Sequence, residues 1–184
     1  MRKNGYTFIE LLVVIGIIAI LAAVGFPYYQ RTKGQFVLER SGINLSQDLR
    51  RAQEMAMSSV KFNGSTSDGG YGIYIDVSEP DHYVLFADLN ENEECDEPNE
   101  AFEDIKLEGG VEISAIGTEL FLCSLGWPCT DIIIIFKPPD PEIIIRGKIL
   151  TLLWLDLSTA GIRITLNGSN KEIFTNSAGL IYVK

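Results

Sequence analysis

The 184-residue sequence has little histidine and little cysteine, with one His and three Cys. Zinc sites in proteins are built mostly from these two residue types at short spacing. No C-x-x-C pair is present, and His82 stands alone in EPDHY, a segment typical of a turn. The sequence therefore argues against a zinc site and against catalysis by histidine.

The sequence motifs of common enzymes are missing as well. There is no G-x-S-x-G, no phosphate-binding glycine loop and no H-E-x-x-H. The 25 acidic residues form many chance carboxylate pairs, and nothing singles out a pair suited to glycoside hydrolysis. The sequence therefore predicts a protein that is not an enzyme.

Positive charge is scarce, because 15 Lys and Arg face 25 Asp and Glu, for a formal charge of −10 at pH 7. Such a surface repels phosphate backbones unless its few cations are clustered. The cations that could form a cluster in the second half of the chain are spread among the predicted strands and outnumbered by acids, so nucleic-acid binding is disfavoured. They are Arg146, Lys148, Arg163 and Lys171.

The three cysteines leave two interpretations open. Cys123 and Cys129 bracket the turn-like SLGWP, and Cys95 lies far from both. In an oxidising compartment this spacing is compatible with a small disulfide loop between Cys123 and Cys129. The alternative is three buried or free thiols.

One long apolar run is present, from Leu11 to Phe26. It falls slightly short of the roughly 20 residues that a membrane-spanning helix needs. Arg2 and Lys3 precede it, which favours a cytoplasmic N-terminus. Glu10 is unusual here, because a carboxylate at the centre of a spanning helix costs about 2.5–3.5 kcal/mol and is a functional residue by default. A cleaved secretory signal peptide or the signal anchor of a periplasmic enzyme are the plain alternatives.

The order of these features resembles the prepilin N-terminus of type IV pilins and type II secretion pseudopilins. Basic residues are followed by Gly5, then YTFIE, then an apolar stretch that ends at Pro27. The resemblance covers residues 1–30 and implies that a prepilin peptidase cleaves after Gly5 and that the new amino terminus, Tyr6, is methylated. Most relatives have Phe at that position. The resemblance further implies that Glu10 neutralises the amino terminus of a neighbouring subunit, and Pro27 would kink or loosen the helix.

The resemblance also implies a location and partners. The protein would be a single-pass protein of the inner (cytoplasmic) membrane, with its head in the periplasm or outside the cell, and would enter a filament on assembly. Its partners would be the prepilin peptidase, other pilin or pseudopilin subunits and the inner-membrane assembly platform. Whether that machine is a pilus, a type II secretion system or a DNA-uptake apparatus is left open, and a DNA-binding minor pilin is the alternative.

A second helical pattern follows Pro27 and predicts an amphipathic helix packed on a sheet. The turn-forming segment NGSTSDGG, residues 63–70, ends it. The expected organisation is a leader at 1–5, a membrane or filament-core helix at 6–30, an amphipathic helix at 31–62 and a β-rich head at 63–184. The apolar stripe of the amphipathic helix consists of Leu38, Leu45, Leu49, Ala52, Ala56 and Val60.

From residue 71 onward the pattern is that of strands. YGIYI (71–75) and YVLFA (83–87) are separated by the turn-like SEPD, and IKL and VEISA flank Glu108-Gly109-Gly110, which is predicted to be a hairpin turn. IIIIF (132–136) is typical of a strand buried on both faces. The fold class is therefore α+β, with a long N-terminal helix, membrane-embedded in its first half and amphipathic in its second, on an antiparallel β-rich head. This order is most similar to the H-type minor pseudopilins and FimT-like minor pilins.

One further segment, ADLNENEECDEPNEAFED, carries chemical content. Alternating Asp and Asn in a turning loop can direct several oxygens toward a calcium ion. The spacing is similar to the first half of an EF-hand loop but has Glu93 where that loop needs glycine and Asn99 where it needs a terminal glutamate. Calcium is therefore a possible cofactor, and a solvated acidic loop is the alternative. The candidate ligands are Asp88, Asn90, Asn92, Glu94, Asp96 and Glu100.

Overall fold

The computed structural model of the chain describes residues 5–62, 64–96, 98–118, 128–138, 142–149 and 153–184, without the side chains of residues 24–32, 65 and 142. These residues form one α-helix, one 3-10 helix and twelve strands. The helix comes first and packs with its second half on antiparallel sheets. The predicted α+β fold class, with its pilin-like arrangement, is confirmed.

The first element, α1 (Phe8–Met57), is 50 residues long. It continues through residue 27, so Pro27 does not end it, and a local loosening there stays a prediction. From Phe8 to Leu21 its apolar side chains are between 51% and 80% exposed. Among the described residues, no helix combines the length and the apolar character that crossing a membrane requires.

The second half of α1 carries the predicted apolar stripe. Leu45, Leu49 and Ala52 are completely buried, and they pack against strands of both large sheets. Residues spaced by three and four positions lie on one side of a helix, so this burial follows from the sequence pattern. Leu38 and Ala56 are buried as predicted, whereas Val60 packs against the core from beyond the end of the helix and is not part of its stripe.

The helix ends at Met57, five residues before the predicted boundary. Ser59 adopts a φ of 46°, its N–H donates to Ala56 O, and the Val60 N–H donates back to Met55 O. This pair of hydrogen bonds is a Schellman motif, which normally has glycine at the left-handed position. The serine pair, rather than the glycine-rich segment after it, therefore terminates α1.

The larger sheet has six antiparallel strands in the order β5-β4-β3-β7-β8-β9. Its centre is the pair of β3 and β7, with Ile73 opposite Ile134. The predicted strands YGIYI and YVLFA form an antiparallel pair, β3 and β4, as expected. The strands are β3 (Tyr71–Asp76), β4 (His82–Ala87), β5 (Ala101–Lys106), β7 (Asp131–Lys137), β8 (Glu142–Ile149) and β9 (Leu153–Asp156).

The smaller sheet has four antiparallel strands in the order β12-β11-β10-β6, and a two-stranded ribbon precedes both sheets. Strand β6 joins this sheet by pairing with β10, more than forty residues further along the chain. The strands are β6 (Glu112–Gly117), β10 (Thr159–Leu166), β11 (Ser169–Asn176) and β12 (Ile181–Val183), with β1 (Lys61–Phe62) and β2 (Ser65–Thr66) in the ribbon.

The segment Glu108-Gly109-Gly110 is not the predicted hairpin turn. It forms a short 3-10 helix between β5 of one sheet and β6 of the other, and these two strands do not pair. Leu107 and Val111 on either side are 8% and 1% exposed, so the chain passes along the core instead of turning at the surface. Apolar residues on either side of two glycines are compatible both with a hairpin turn and with a segment that passes from one sheet to the other. Here the burial of Leu107 and Val111 favours the second arrangement.

Strand β7 is buried on both faces, as predicted for IIIIF. Ile132 and Ile134 belong to the main core beneath α1. Ile133 and Ile135 face the other way and form a second cluster with Val84 and Phe86. Cys95 of the acidic segment packs against that second cluster, so this segment covers the side of the sheet that faces away from α1.

Candidate functional site

The N-terminal segment enters α1 through a capping box. Thr7 is the N-cap residue, and its Oγ1 accepts a hydrogen bond from the Glu10 N–H at 3.3 Å. In return, the Glu10 carboxylate accepts the Thr7 N–H and the Thr7 hydroxyl, each at 2.9 Å. Such an exchange satisfies two N–H groups that the start of a helix otherwise leaves without a partner.

In this geometry Thr7 is a hydrogen-bonding partner of Glu10 within the same chain. The partner implied by the resemblance is a different one, the amino terminus of a neighbouring subunit. Within one chain, the Glu10 carboxylate lies at the positive end of the helix dipole and closes the first turn. The pairing with a neighbouring subunit's amino terminus stays a prediction. The pattern Thr7-x-x-Glu10 is a capping-box signature that sequence analysis could have identified and did not.

Gly5 and Tyr6 lie just before the helix and are open to solvent. Tyr6 is 90% exposed, and a Cβ placed on Gly5 would meet no atom within 4 Å. Neither close packing nor a left-handed backbone requires glycine at this position. The fold of the chain therefore does not explain Gly5, whereas recognition by an external protein would.

The acidic loop, residues 88–100, is organised by its own hydrogen bonds. Asp88 and Glu100 are 0% and 2% exposed. Asp88 accepts the N–H groups of Asn92 and Glu93 at 3.2 and 3.0 Å, and Glu100 accepts those of Leu89 and Asp96 at 2.9 and 3.0 Å. These two carboxylates hold the ends of the loop together. Burial raises the pKa of Asp88, although N–H groups of the loop act in the opposite direction.

The other predicted calcium ligands also bind within the loop. Asp96 Oδ2 accepts the side-chain N–H groups of Asn90 and Asn92, both at 2.8 Å. The Asn92 Oδ1 accepts the Glu94 N–H at 2.9 Å. In the described part of the chain, no group of three or more His, Cys, Asp or Glu residues is arranged to hold a metal ion. The structure thus brings the six candidates into one loop, and both interpretations of that loop, a calcium site and a solvated acidic loop, stay predictions.

Glu93 occupies the position at which an EF-hand loop has glycine. Its φ is 60°, the left-handed conformation that glycine favours, and Glu91 has the same value. The Glu93 carboxylate lies 3.4 Å from Arg146 Nη1, and this contact ties the loop to β8. The backbone path of the loop therefore forms without glycine.

Of the four candidate cations of the nucleic-acid alternative, two lie together over one aromatic ring and, within the described ranges, all but Lys148 contact a carboxylate. The guanidinium of Arg146 lies over the Trp154 ring and beside Glu93, and Lys148 lies over the same ring. Arg163 contacts Glu172 at 2.8 Å, and Lys171 lies 3.8 Å from Glu39.

His82 lies at the start of β4 among carboxylates. Its Nδ1 is 3.1 Å from Asp81, and its Nε2 is 3.2 Å from Glu79 and 4.0 Å from Asp104. Partial burial alone would lower the pKa of His82, but the hydrogen bond to Asp81 and the nearby negative charges outweigh it and raise the pKa. The Lys106 ammonium, with His82, lowers the pKa of Asp81 to about 2.

The structure describes only one cysteine of the predicted pair, Cys129. Cys129 is disulfide-bonded and 5% exposed. Cys123 lies outside the residues that the structure describes, so the pairing of Cys123 with Cys129 stays a prediction.

Comparison with known proteins identifies the N-terminal segment. Residues 1–26 match the family model of the prokaryotic N-terminal methylation motif. Over 29 residues, the chain is 66% identical to the prepilin peptidase-dependent protein D of Escherichia coli (strain K12). That match covers 16% of this chain and only 20% of the other protein. No solved structure matches the chain significantly.

Proposed function

We propose that this protein is a structural subunit of a type IV filament machine, either a minor pilin or a pseudopilin of a type II secretion system. The observation that carries the proposal is the methylation motif over residues 1–26, joined to a 50-residue helix with a β-rich head at its far end. The proposed activity is assembly, and no chemical reaction of the head is part of it.

Processing is the first step of the proposal. A prepilin peptidase cleaves after Gly5, and the new amino terminus at Tyr6 is methylated. The openness around Gly5 and Tyr6 supports this step, because a peptidase needs an accessible, extended substrate. The peptidase and the membrane platform that assembles the subunits are accordingly its proposed partners.

Storage and assembly are the second step. Apart from Glu10, the side chains from Phe8 to Leu21 are apolar or absent, and the large ones are exposed on every side of the helix in a single chain. A helix that is apolar all round belongs in a membrane or among other helices. We infer that this segment anchors the subunit in the inner membrane, with the head outside the cytoplasm, and that it exchanges lipid for neighbouring helices when the filament grows.

Glu10 sets the register in this proposal. A buried carboxylate is tolerated when it is paired, and the amino terminus created by cleavage is a suitable partner. Only a neighbour at the right axial offset would bring its ammonium group to this position. The pairing of the four head cations with carboxylates or Trp154 supports leaving DNA capture out of the proposal.

The test is fractionation of cells that contain the peptidase and the assembly machinery. Wild-type chain is expected in the inner membrane and, after assembly, in the fraction of sheared filaments. Gly5→Leu is expected to stay in the membrane at full precursor length. Gly34→Ala, at a glycine without a left-handed backbone where a Cβ would meet atoms only at 3.8 and 3.9 Å, is the control and is expected to be processed and assembled like wild type. Appearance of Gly5→Leu in filaments at the wild-type level would overturn the proposal.

A further inference from the structure

The charge of the chain is segregated along its length. Residues 63–184 contain 21 acidic and 7 basic residues, a formal charge of −14. Residues 6–62 contain 4 acidic and 6 basic residues, a formal charge of +2. The acidic residues are most concentrated between residues 88 and 108, a segment with ten Asp or Glu and one basic residue, Lys106. Helix α1 itself, Phe8–Met57, holds 4 acidic and 5 basic residues, a formal charge of +1, so the head is strongly acidic whereas the helix is close to neutral.

The acidic loop has two carboxylates without an ion pair among the described residues, those of the exposed Glu91 and the half-buried Glu94. Asp88, Asp96 and Glu100 are occupied by N–H donors of the loop itself. Glu91 and Glu94 form no salt bridge among the described residues, and Glu91 is exposed. The internal hydrogen bonds fix the loop, so these two carboxylates are presented with little further loss of conformational entropy.

The side of α1 that faces away from the sheets presents apolar side chains together with two cations, Arg40 and Arg50, and one carboxylate, Glu54. We call this side the outer face. Phe36, Ile43 and Met57 on it are 67%, 44% and 57% exposed. Its members follow one another at intervals of three and four residues, which places them on one side of the helix. They are Phe36, Arg40, Ile43, Gln47, Arg50, Glu54 and Met57, all of them exposed.

The outer face ends in an open groove of about 770 Å³ between α1 and the turn before β12. Leu180, 57% exposed, lines this groove opposite Met57. Arg50 lies in it, donates to Ile181 O at 3.4 Å and has no carboxylate partner among the described residues. Arg40 contacts Glu108 at 3.6 Å, and both of those side chains are exposed to solvent. The outer face thus offers cationic groups between apolar contacts.

Within one chain, the acidic loop and the outer face cannot meet. The loop packs against the cluster of Ile133 and Ile135, on the side of the six-stranded sheet that faces away from α1. The inner side of α1 packs against Ile132 and Ile134 on the opposite side of that sheet. A contact between these two surfaces therefore requires two copies of the chain.

The outer face is also too far from the start of α1 to lie in a bilayer. Phe36 is 28 residues beyond Phe8, and at about 1.5 Å per residue this separation is roughly 42 Å. The hydrocarbon core of a membrane is about 30 Å thick. A protein surface of opposite charge is therefore a better occupant of the outer face than lipid chains.

We propose that the outer face of α1 binds the acidic loop of a second copy of this chain, with Arg40 and Arg50 against Glu91 and Glu94 and with Phe36 and Ile43 buried between them. The inference rests on the proposed function, because assembly brings copies of the chain side by side. The proposed contact joins the head of one copy to the helix of the next while their apolar segments pack together. Because its ion pairs lie at the surface, the contact weakens as salt is added.

The test is photo-crosslinking of the full-length chain in non-ionic detergent micelles. A photoreactive phenylalanine analogue at residue 43 is expected to give a dimer whose crosslinked peptide comes from residues 88–106 of the other chain. Glu91→Lys with Glu94→Lys is expected to lower the yield about tenfold. Adding Arg40→Glu and Arg50→Glu to that variant is expected to restore the crosslinking yield. The control is Glu112→Lys, which replaces an exposed acid on the other sheet and is expected to leave the yield unchanged.

A crosslink to α1 of the second chain, a detergent or lipid adduct alone, or no product would each overturn the inference. Failure of the inference is separable from failure of the proposed function, because processing is read independently from the mass of the mature N-terminus. A chain that is processed after Gly5 but gives no crosslink to the loop keeps the function and loses this contact.

Discussion

Thr7 and Glu10 bind each other across the first turn of α1: the carboxylate of Glu10 accepts the Thr7 N–H at 2.9 Å, and Thr7 Oγ1 accepts the Glu10 N–H at 3.3 Å. Glu10 therefore has a hydrogen-bonding partner before any neighbour arrives. Two functions of this carboxylate, closing its own helix and pairing with another subunit's amino terminus, can be separated experimentally.

Glu10→Ala is expected to leave membrane insertion intact and to reduce incorporation into filaments strongly. Thr7→Ala removes the side-chain cap, worth about 1 kcal/mol, but keeps the carboxylate, so it is expected to assemble almost as well as wild type. The measurement is the ratio of subunit in sheared filaments to subunit in membranes. Thr7→Ser is the matched control. Equal losses in Thr7→Ala and Glu10→Ala would mean that capping, not pairing between subunits, is what assembly needs.

Ser59→Gly is expected to stabilise the head. Ser59 holds a φ of 46° at the position of the Schellman motif that usually carries glycine. Relief of the left-handed strain is worth roughly 1–2 kcal/mol, partly offset by the entropy of glycine in the unfolded chain. The free energy of unfolding, measured with denaturant in detergent micelles, should therefore rise by about 0.5–1 kcal/mol. Ser59→Ala keeps the strain and should give no gain, and a gain as large as that of glycine would contradict this explanation.

His82 is expected to titrate above its ordinary pKa of about 6.5. A raised pKa in the folded state stabilises the protein fully below the unfolded value, and this contribution is lost as the pH rises through the folded value. His82 is the only histidine in the chain, so its imidazole signals can be followed directly by NMR. Asp81→Asn should lower the pKa, whereas Glu172→Gln on the other sheet should not. A wild-type pKa at or below the ordinary value would show that these carboxylates do not act on the ring.

Calcium is expected to have little effect on the acidic loop. Asp88 and Glu100 already accept N–H groups of the loop, and these hydrogen bonds hold the loop together without an added cation. Thermal unfolding is compared with a chelator and with about 5 mM calcium, which exceeds the dissociation constants of roughly 0.1–1 mM typical of extracellular sites. The two conditions should give the same Tm within about 1 °C. A saturable rise of several degrees that is lost in Asn90→Ala would establish the calcium site.

The sequence predicted those parts of the fold that depend on local periodicity. The stripe through Leu45 and Leu49 is buried as its spacing requires, and IIIIF forms a strand covered on both faces. Each prediction needs only the period of a helix or a strand and the tendency of apolar side chains to leave water.

Non-local pairing could not be predicted in this way. The pairing of β6 with β10 and the crossing at Glu108 depend on which sheet buries Leu107 and Val111. The contact of Glu93 with Arg146 depends on β8 lying beneath the acidic loop. By contrast, the bond between Thr7 and Glu10 is local, and the sequence contained it as a capping-box pattern.

The central claim is that the chain is processed as a prepilin. Its most direct test is the intact mass and N-terminal sequence of the protein isolated from cells that contain a prepilin peptidase. The account predicts a chain that begins at Tyr6 and carries a methyl group on its amino terminus. A chain that keeps Gly5 and the residues before it, or one cut near residue 25, would contradict the account and point to a plain anchor or a secretory signal.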